Sequence, residues 1–272
     1  MKNLTPLPRK MFYWDEIVSN KNLVSRHLLQ GMRPTILIRV NSYVQSSSEL
    51  ENLPVVTYDV NTTKALKGCF SNSDSLSKLK AKIIEKQSLL LRAECQYCNI
   101  GEPNTFDHYL PQVLFPEFAA LSINLVPCCS SCNTAKGEEW LDGGIRRVLS
   151  FYFDSLPTNT YLKCQIVYRN NIPQARFTID SNSVSIDIRN VVKKHYGTLH
   201  LFTRYRRRLN SEITDVLAAI TPHIGRISRQ RIKDNLIEES NTMKRLRGAN
   251  YWRAVVREGL ANSDQFLANS GF

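Results

Sequence analysis

The stretch on which the reading of this chain turns is Cys95-Gln96-Tyr97-Cys98, then Thr105-Phe106-Asp107-His108, then Asn124-Leu125-Val126-Pro127-Cys128-Cys129-Ser130-Ser131-Cys132-Asn133-Thr134-Ala135-Lys136. Two C-x-x-C pairs bracket an Asp-His pair. A C-x-x-C pair lets two sulfurs from one tight turn reach the same ion, and zinc takes tetrahedral thiolate ligation. Two pairs separated by a loop of roughly thirty residues make a four-cysteine site of the structural kind. Cys128 competes with Cys129 for the ion, but only Cys129 has the two-residue gap to Cys132.

The cysteines also bear on the compartment. There are 7 of them, an odd number, and the first residues lack the apolar run of a secretory signal. Paired thiols in a reducing compartment argue for metal rather than disulfides. No segment reaches the roughly 20 continuous apolar residues of a membrane helix, so a soluble, cytoplasmic protein with no membrane partner is expected. Cys69, Cys128 and Cys164 read as small buried hydrophobes.

Between the pairs, Thr105 and Phe106 are a short β-prone run, and Asn133 opens what reads as a helix. This arrangement resembles the HNH endonuclease family of the ββα-metal (His-Me finger) group, in the variant with asparagine at the third motif position. The resemblance covers roughly residues 93–137 and follows the pattern C-x-x-C, D-H-x-x-P, N-L-x-x-x-C-x-x-C-N-x-x-K. It implies that His108 is the general base that takes a proton from water for attack on a phosphodiester. It implies that Asp107 and Asn133 hold one divalent ion, Mg2+ or Mn2+, and that Asn124 orients the imidazole or braces the loop. Cys95, Cys98, Cys129 and Cys132 would bind a structural zinc without an open position. The chemistry is sound on its own terms, because neutral imidazole is a natural base near neutral pH and a hard ion with oxygen ligands accepts phosphate oxygens. Neighbours on a strand face opposite ways, so Asp107 and His108 converge only where the strand twists or ends. The bland alternative is a surface dipeptide and a helix cap on a zinc ribbon. Lys136 either contacts phosphate or sits on the helix surface, while Phe115, Phe118 and Leu121 read as packing.

Toward the N-terminus, Phe12, Ile17, Val24 and Leu28 recur at helical spacing, and Gly31 and Pro34 close that element. The run from Thr35 to Val44 fits a helix or a strand. After a Ser/Asn loop, Leu76, Leu79, Ile83 and Leu90 line one side of a helix whose other side carries Lys78, Lys80, Lys82 and Lys86, a solvated face in preference to a phosphate-binding ridge.

Toward the C-terminus, alternation through Leu162, Cys164 and Ile166, again through Ala175, Phe177 and Ile179, and on through Val184, Ile186 and Ile188 predicts two or three antiparallel strands. Helical spacing follows from Asn190. His195 and His200, five apart, do not share a helix face and read as structural. Arg204, Arg206, Arg207 and Arg208 form a basic cluster suited to phosphate-backbone contact.

The net charge of +12 favours a polyanionic partner. It is unevenly spread: residues 95–186 carry 6 Lys and Arg against 8 Asp and Glu, while residues 187–272 carry 16 against 8. The expected fold is α+β: a helical region (1–92), a nuclease core with its zinc (93–150), and an accessory sheet with basic helices (151–272). The expected function is a metal-dependent endonuclease acting on DNA, with RNA left open. The large flanks and the lack of a nucleotide-binding motif favour an anti-phage defence effector working with a separate ATPase or sensor. The alternative is a zinc-stabilised nucleic-acid-binding module without catalysis.

Overall fold

The structure, a computed structural model, describes residues 1–8 and 13–272; Phe12 lies outside the described residues. The chain forms two compact units, Asn3–Ser155 and Leu156–Phe272 with Met1–Lys2. Each combines helices with short antiparallel strands, the α+β class that the sequence indicates. Among the described residues no helix is long and apolar enough to cross a membrane.

The unit Asn3–Ser155 opens with α1 (Trp14–Ser19) and α2 (Leu23–Gln45). The expected stop at Gly31 and Pro34 does not occur, since α2 runs through both. A proline inside a helix removes one hydrogen bond and costs about 3 kcal/mol. Leu29, Ile36 and Tyr43 recur every two turns and are fully buried, and burying each contributes about 2 kcal/mol. Packing therefore outweighs the breaker, and Thr35 to Val44 is helix.

Helix α3 (Val60–Lys67) is capped by Asp59, and α4 (Asp74–Glu85) by Ser73, whose Oγ accepts from Leu76 N at 3.2 Å. Leu76, Leu79 and Ile83 face inward as their spacing predicts. Leu90 falls instead in a separate short helix, α5 (Leu89–Ala93). Gln87 accounts for the break: its Nε2 donates to Ile83 O at 2.8 Å and Thr5 O at 2.9 Å, and its Oε1 accepts from Thr5 N. The core joins Trp14, Ile17, Leu29, Ile36 and Leu79 to Leu125, so the N-terminal helices pack on the cysteine-bearing stretch.

That stretch folds as β1 (Thr105–His108) antiparallel to β2 (Leu125–Cys128), followed by α6 (Ser130–Lys136). A small hairpin, β3 (Leu141–Asp142) and β4 (Ile145–Arg146), comes after it. The loop between β1 and β2 is pinned to α2 by a buried ion pair, Arg39 Nε to Glu117 Oε1 at 2.9 Å, while Arg39 also donates to Pro54 O. Removing one partner of a buried pair strands the other charge. Arg39→Ala is expected to lose about 3 kcal/mol in urea unfolding, and Arg39→Met with Glu117→Leu much less; equal losses would contradict this role.

The second unit begins with a hairpin, β5 (Leu162–Arg169) and β6 (Ile172–Ile179). Asn170 and Asn171 turn it with φ of 51° and 60°, the left-handed pair of a type I′ turn. The alternation at Val184, Ile186 and Ile188 is not a third strand. Asp180 accepts from Asn182 N and the Ser183 hydroxyl, and α7 (Ile186–Thr198) begins directly after. Its buried residues, Ile188, Val191, Val192, His195 and Tyr196, follow helical rather than strand spacing. Helices α8 (Leu201–Ile220), α9 (Arg229–Arg247), α10 (Trp252–Ala261) and α11 (Asp264–Asn269) complete the unit. Buried Glu212 of α8 ties α10 through Arg253 at 3.0 Å and Arg257 at 2.9 Å.

Candidate functional site

Cys95, Cys98, Cys129 and Cys132 are all buried, and their sulfurs lie within 4.8 Å of one another. A tetrahedral zinc with bonds of about 2.3 Å puts its sulfurs about 3.8 Å apart, and Cys98 and Cys129 are separated by 3.8 Å. The first pair sits on a turn in which Cys98 N and Asn99 N both donate to Cys95 O, with Asn99 in the left-handed region at φ 53°. The second pair opens α6, where Cys132 N and Asn133 N donate to Cys129 O. Gly101 lies close against the second pair, where an added Cβ would stand a tight 3.2 Å from Cys129 Cβ. Hydrogen bonds from Cys132, Cys95 and Cys98 hold the Cys129 thiol far below its usual range, while burial and the same neighbours push Cys95 up. Four thiols competing for their protons in a dry site are the donor set that a thiophilic metal such as zinc would take up.

Cys128 stays outside this group, its sulfur 3.5 Å from Thr105 Oγ1. Burial pushes its thiol up to about 12 and that of Cys69 to about 11, the environment expected of small buried residues. Cys164 is half-buried by exposure, yet it too is pushed up to about 12 by burial.

Beside the cysteines lies a cleft of about 340 Å³ whose lining includes Asp107, His108 and Asn133. Asp107 and His108, the last two residues of β1, both line it. The Asp107 carboxylate is buried: Oδ2 accepts from Tyr97 OH at 2.8 Å and Oδ1 from Lys136 Nζ at 2.9 Å. Lys136, which the sequence left between a phosphate contact and the helix surface, is thus not a surface residue. It is 1% exposed, because α6 packs on β1 and carries the ammonium to Asp107 and to His108 O at 2.8 Å.

His108 Nε2 lies 2.8 Å from Ala119 O. A carbonyl only accepts, so Nε2 carries the proton and Nδ1 keeps the lone pair. Gln112 Nε2 lies 2.7 Å from the same nitrogen; two N–H groups cannot bond each other, so a protonated His108 Nε2 requires the Gln112 carboxamide turned to present its oxygen. Burial holds the imidazole at about 4, against the Ala119 bond and Asp107, which raise it, and with Lys136 and Lys80, which lower it further. The ring is therefore neutral at pH 7.

Between the unfolded value near 6.5 and about 4, the unfolded chain binds this proton and the folded chain does not. Stability should then fall as pH drops through that window, by up to about 3 kcal/mol. Denaturant titrations at several pH values, without added divalent cation, check this against His108→Gln. Parallel profiles for the two proteins would contradict it.

Asn124 is fully buried and braces the loop rather than touching the imidazole. Its Oδ1 accepts from Leu110 N at 2.8 Å and Tyr43 OH at 3.2 Å, and its Nδ2 donates to Leu110 O and Phe118 O. It thereby fixes the turn whose next carbonyl, Ala119 O, holds His108. Phe115 and Phe118 are buried packing, as their spacing indicates. Asn133, on the cleft lining, donates from Nδ2 to Thr105 Oγ1 at 3.3 Å and to Phe106 O at 3.5 Å.

The sequence did not point to Tyr97, Gln112 or the carbonyl of Ala119 as members of the site, nor to Phe70, whose ring stands edge-on to His108 at 4.3 Å. Gln112, four residues after His108, carried a faint signal; the others depend on tertiary packing. In the second unit, Arg206, Arg207 and Arg208 are exposed on α8 and Arg204 is half-buried.

No family model matches this chain, and no solved structure matches it. The chain is similar to Protein ea31 of Escherichia phage lambda, at 26% identity over 193 residues. The match covers 64% of this chain and 63% of the phage protein, so less than two thirds of that relative's length is spanned.

Proposed function

We propose that this protein is a metal-dependent endonuclease of the HNH type that hydrolyses phosphodiester bonds in DNA. The observation that carries this reading is His108. It is a neutral imidazole, proton-locked on one nitrogen by Ala119 O, in a cleft shared with a carboxylate and a carboxamide.

Asp107 and Asn133 would hold the divalent ion. The fit is acceptable, because carboxylate and carboxamide oxygens suit Mg2+ or Mn2+, and each Asp107 oxygen retains a lone pair beside its present donor. Such an ion would withdraw charge from a non-bridging phosphate oxygen and from the leaving 3′ oxygen. His108 Nδ1 takes a proton from water as the water oxygen bonds to phosphorus and the bond to the 3′ oxygen breaks. Solvent protonates the leaving oxygen, giving a 3′-hydroxyl and a 5′-phosphate. Lys136 and Tyr97 hold the Asp107 carboxylate in place, and Asn124 holds the loop that orients His108. Cys95, Cys98, Cys129 and Cys132 would bind zinc for shape alone, since four thiolates leave no open position.

Arg204, Arg206, Arg207 and Arg208 are proposed to contact the phosphate backbone. A separate ATPase or sensor in an anti-phage system is proposed as a partner, to be sought by co-purification. A second reading, a DNA-binding module without catalysis, is favoured by the engagement of both Asp107 oxygens with protein donors. Plasmid nicking with Mg2+, Mn2+ or EDTA separates the two. Metal-dependent nicking supports the nuclease; tight, salt-sensitive binding with no nicking supports the module.

A further inference from the structure

Lys80 differs from Lys78 and Lys82 of the same helix. Lys78 pairs with Glu16 at 3.2 Å and Lys82 with Glu85 at 2.7 Å. Among the described residues no carboxylate lies within ion-pair distance of Lys80. Its ammonium sits over the ring of Phe70, 4.3 Å from the centroid, and 5.7 Å from that of Phe106. Both rings line the cleft, whereas Lys80 touches it only through them, and Phe70 also meets the His108 ring at 4.3 Å. The ammonium is thus one aromatic ring away from the imidazole, and its charge reaches it.

The charges around the cleft make this cation matter. Asp107 is already matched by Lys136, while Glu138, on the lining, is exposed and repels phosphate. A half-buried ammonium held by two π faces is only partly hydrated, which disfavours its charged form, so an anionic oxygen is the ligand it lacks. We propose that Lys80, seated on Phe70 and Phe106, is the cation that grips the DNA phosphate backbone at this cleft. The proposal rests on the nuclease reading and assigns the N-terminal helices a direct part in holding substrate.

The test uses the full chain with Lys80→Met, which keeps the apolar cover of the rings, and Lys80→Arg, which keeps the charge. Binding of a short DNA duplex to His108→Ala is measured with and without each change at several salt concentrations. Lys80→Met should weaken binding about tenfold and reduce the salt slope by about one, with Lys80→Arg close to the parent. In nicking assays Lys80→Met should raise KM with little change in kcat. Unchanged affinity and slope in Lys80→Met would overturn the proposal. So would equal loss in both variants, which marks a packing role. If the wild-type chain nicks no DNA, the nuclease reading fails, and the binding measurement still decides for or against Lys80.

Discussion

Cys95→Ser and Cys132→Ser chains should be recovered insoluble and without metal, whereas the wild-type chain should carry about one tightly held zinc. The magnitudes decide this. A structural zinc contributes about 10 kcal/mol or more of folding free energy, against a net stability for a domain of about 5–15 kcal/mol. The site also joins two segments: the turn at Cys95, closed where Gly101 O accepts from Cys95 N, and the start of α6 at Cys129. Losing the ion leaves four buried thiols with no common partner and releases α6 from β1. Cys128→Ser serves as the control, since Cys128 lies outside the group and should keep the metal. Soluble, zinc-free and active Cys132→Ser protein would refute the staple.

His108→Ala should abolish DNA cleavage while leaving the fold and the zinc content intact. A positioned general base contributes about a thousandfold. Here the imidazole has a single free nitrogen, since Ala119 O fixes the proton on the other. Truncation removes the base and also opens the space against Phe70, so His108→Gln is the fairer structural control. Both variants should bind a short duplex with wild-type affinity. A loss of binding equal to the loss of cleavage would place His108 in substrate contact or packing instead of proton transfer.

The parts of this site that were legible in the sequence are those fixed by local spacing. The two-residue gap singles out Cys129 over Cys128, the β-prone run ends at Asp107 and His108, and the helix opens directly after Cys129. The buried face of α4 follows from Leu76, Leu79 and Ile83 alone. What was not legible depends on partners distant in the chain. Pro34 looks like a stop until the buried line of Leu29, Ile36 and Tyr43 is known. Over Val184, Ile186 and Ile188, a period of two cannot be told from the start of a helix; Val191, Val192 and His195 decide it. Lys136 stands in the last turn of a short helix, where either face is open to it, and only the packing of α6 on β1 turns it inward. Phe70 reaches His108, and Lys80 reaches Phe70, from elements for which the motif gives no address.

The most direct test of the account is single-turnover cleavage of supercoiled plasmid by the full chain, with Mg2+ or Mn2+ and with EDTA, wild type beside His108→Ala at equal DNA occupancy. Nicking should require the divalent ion and disappear in His108→Ala. Nicking that persists undiminished in His108→Ala, or tight salt-sensitive binding with no nicking under any condition, would contradict it.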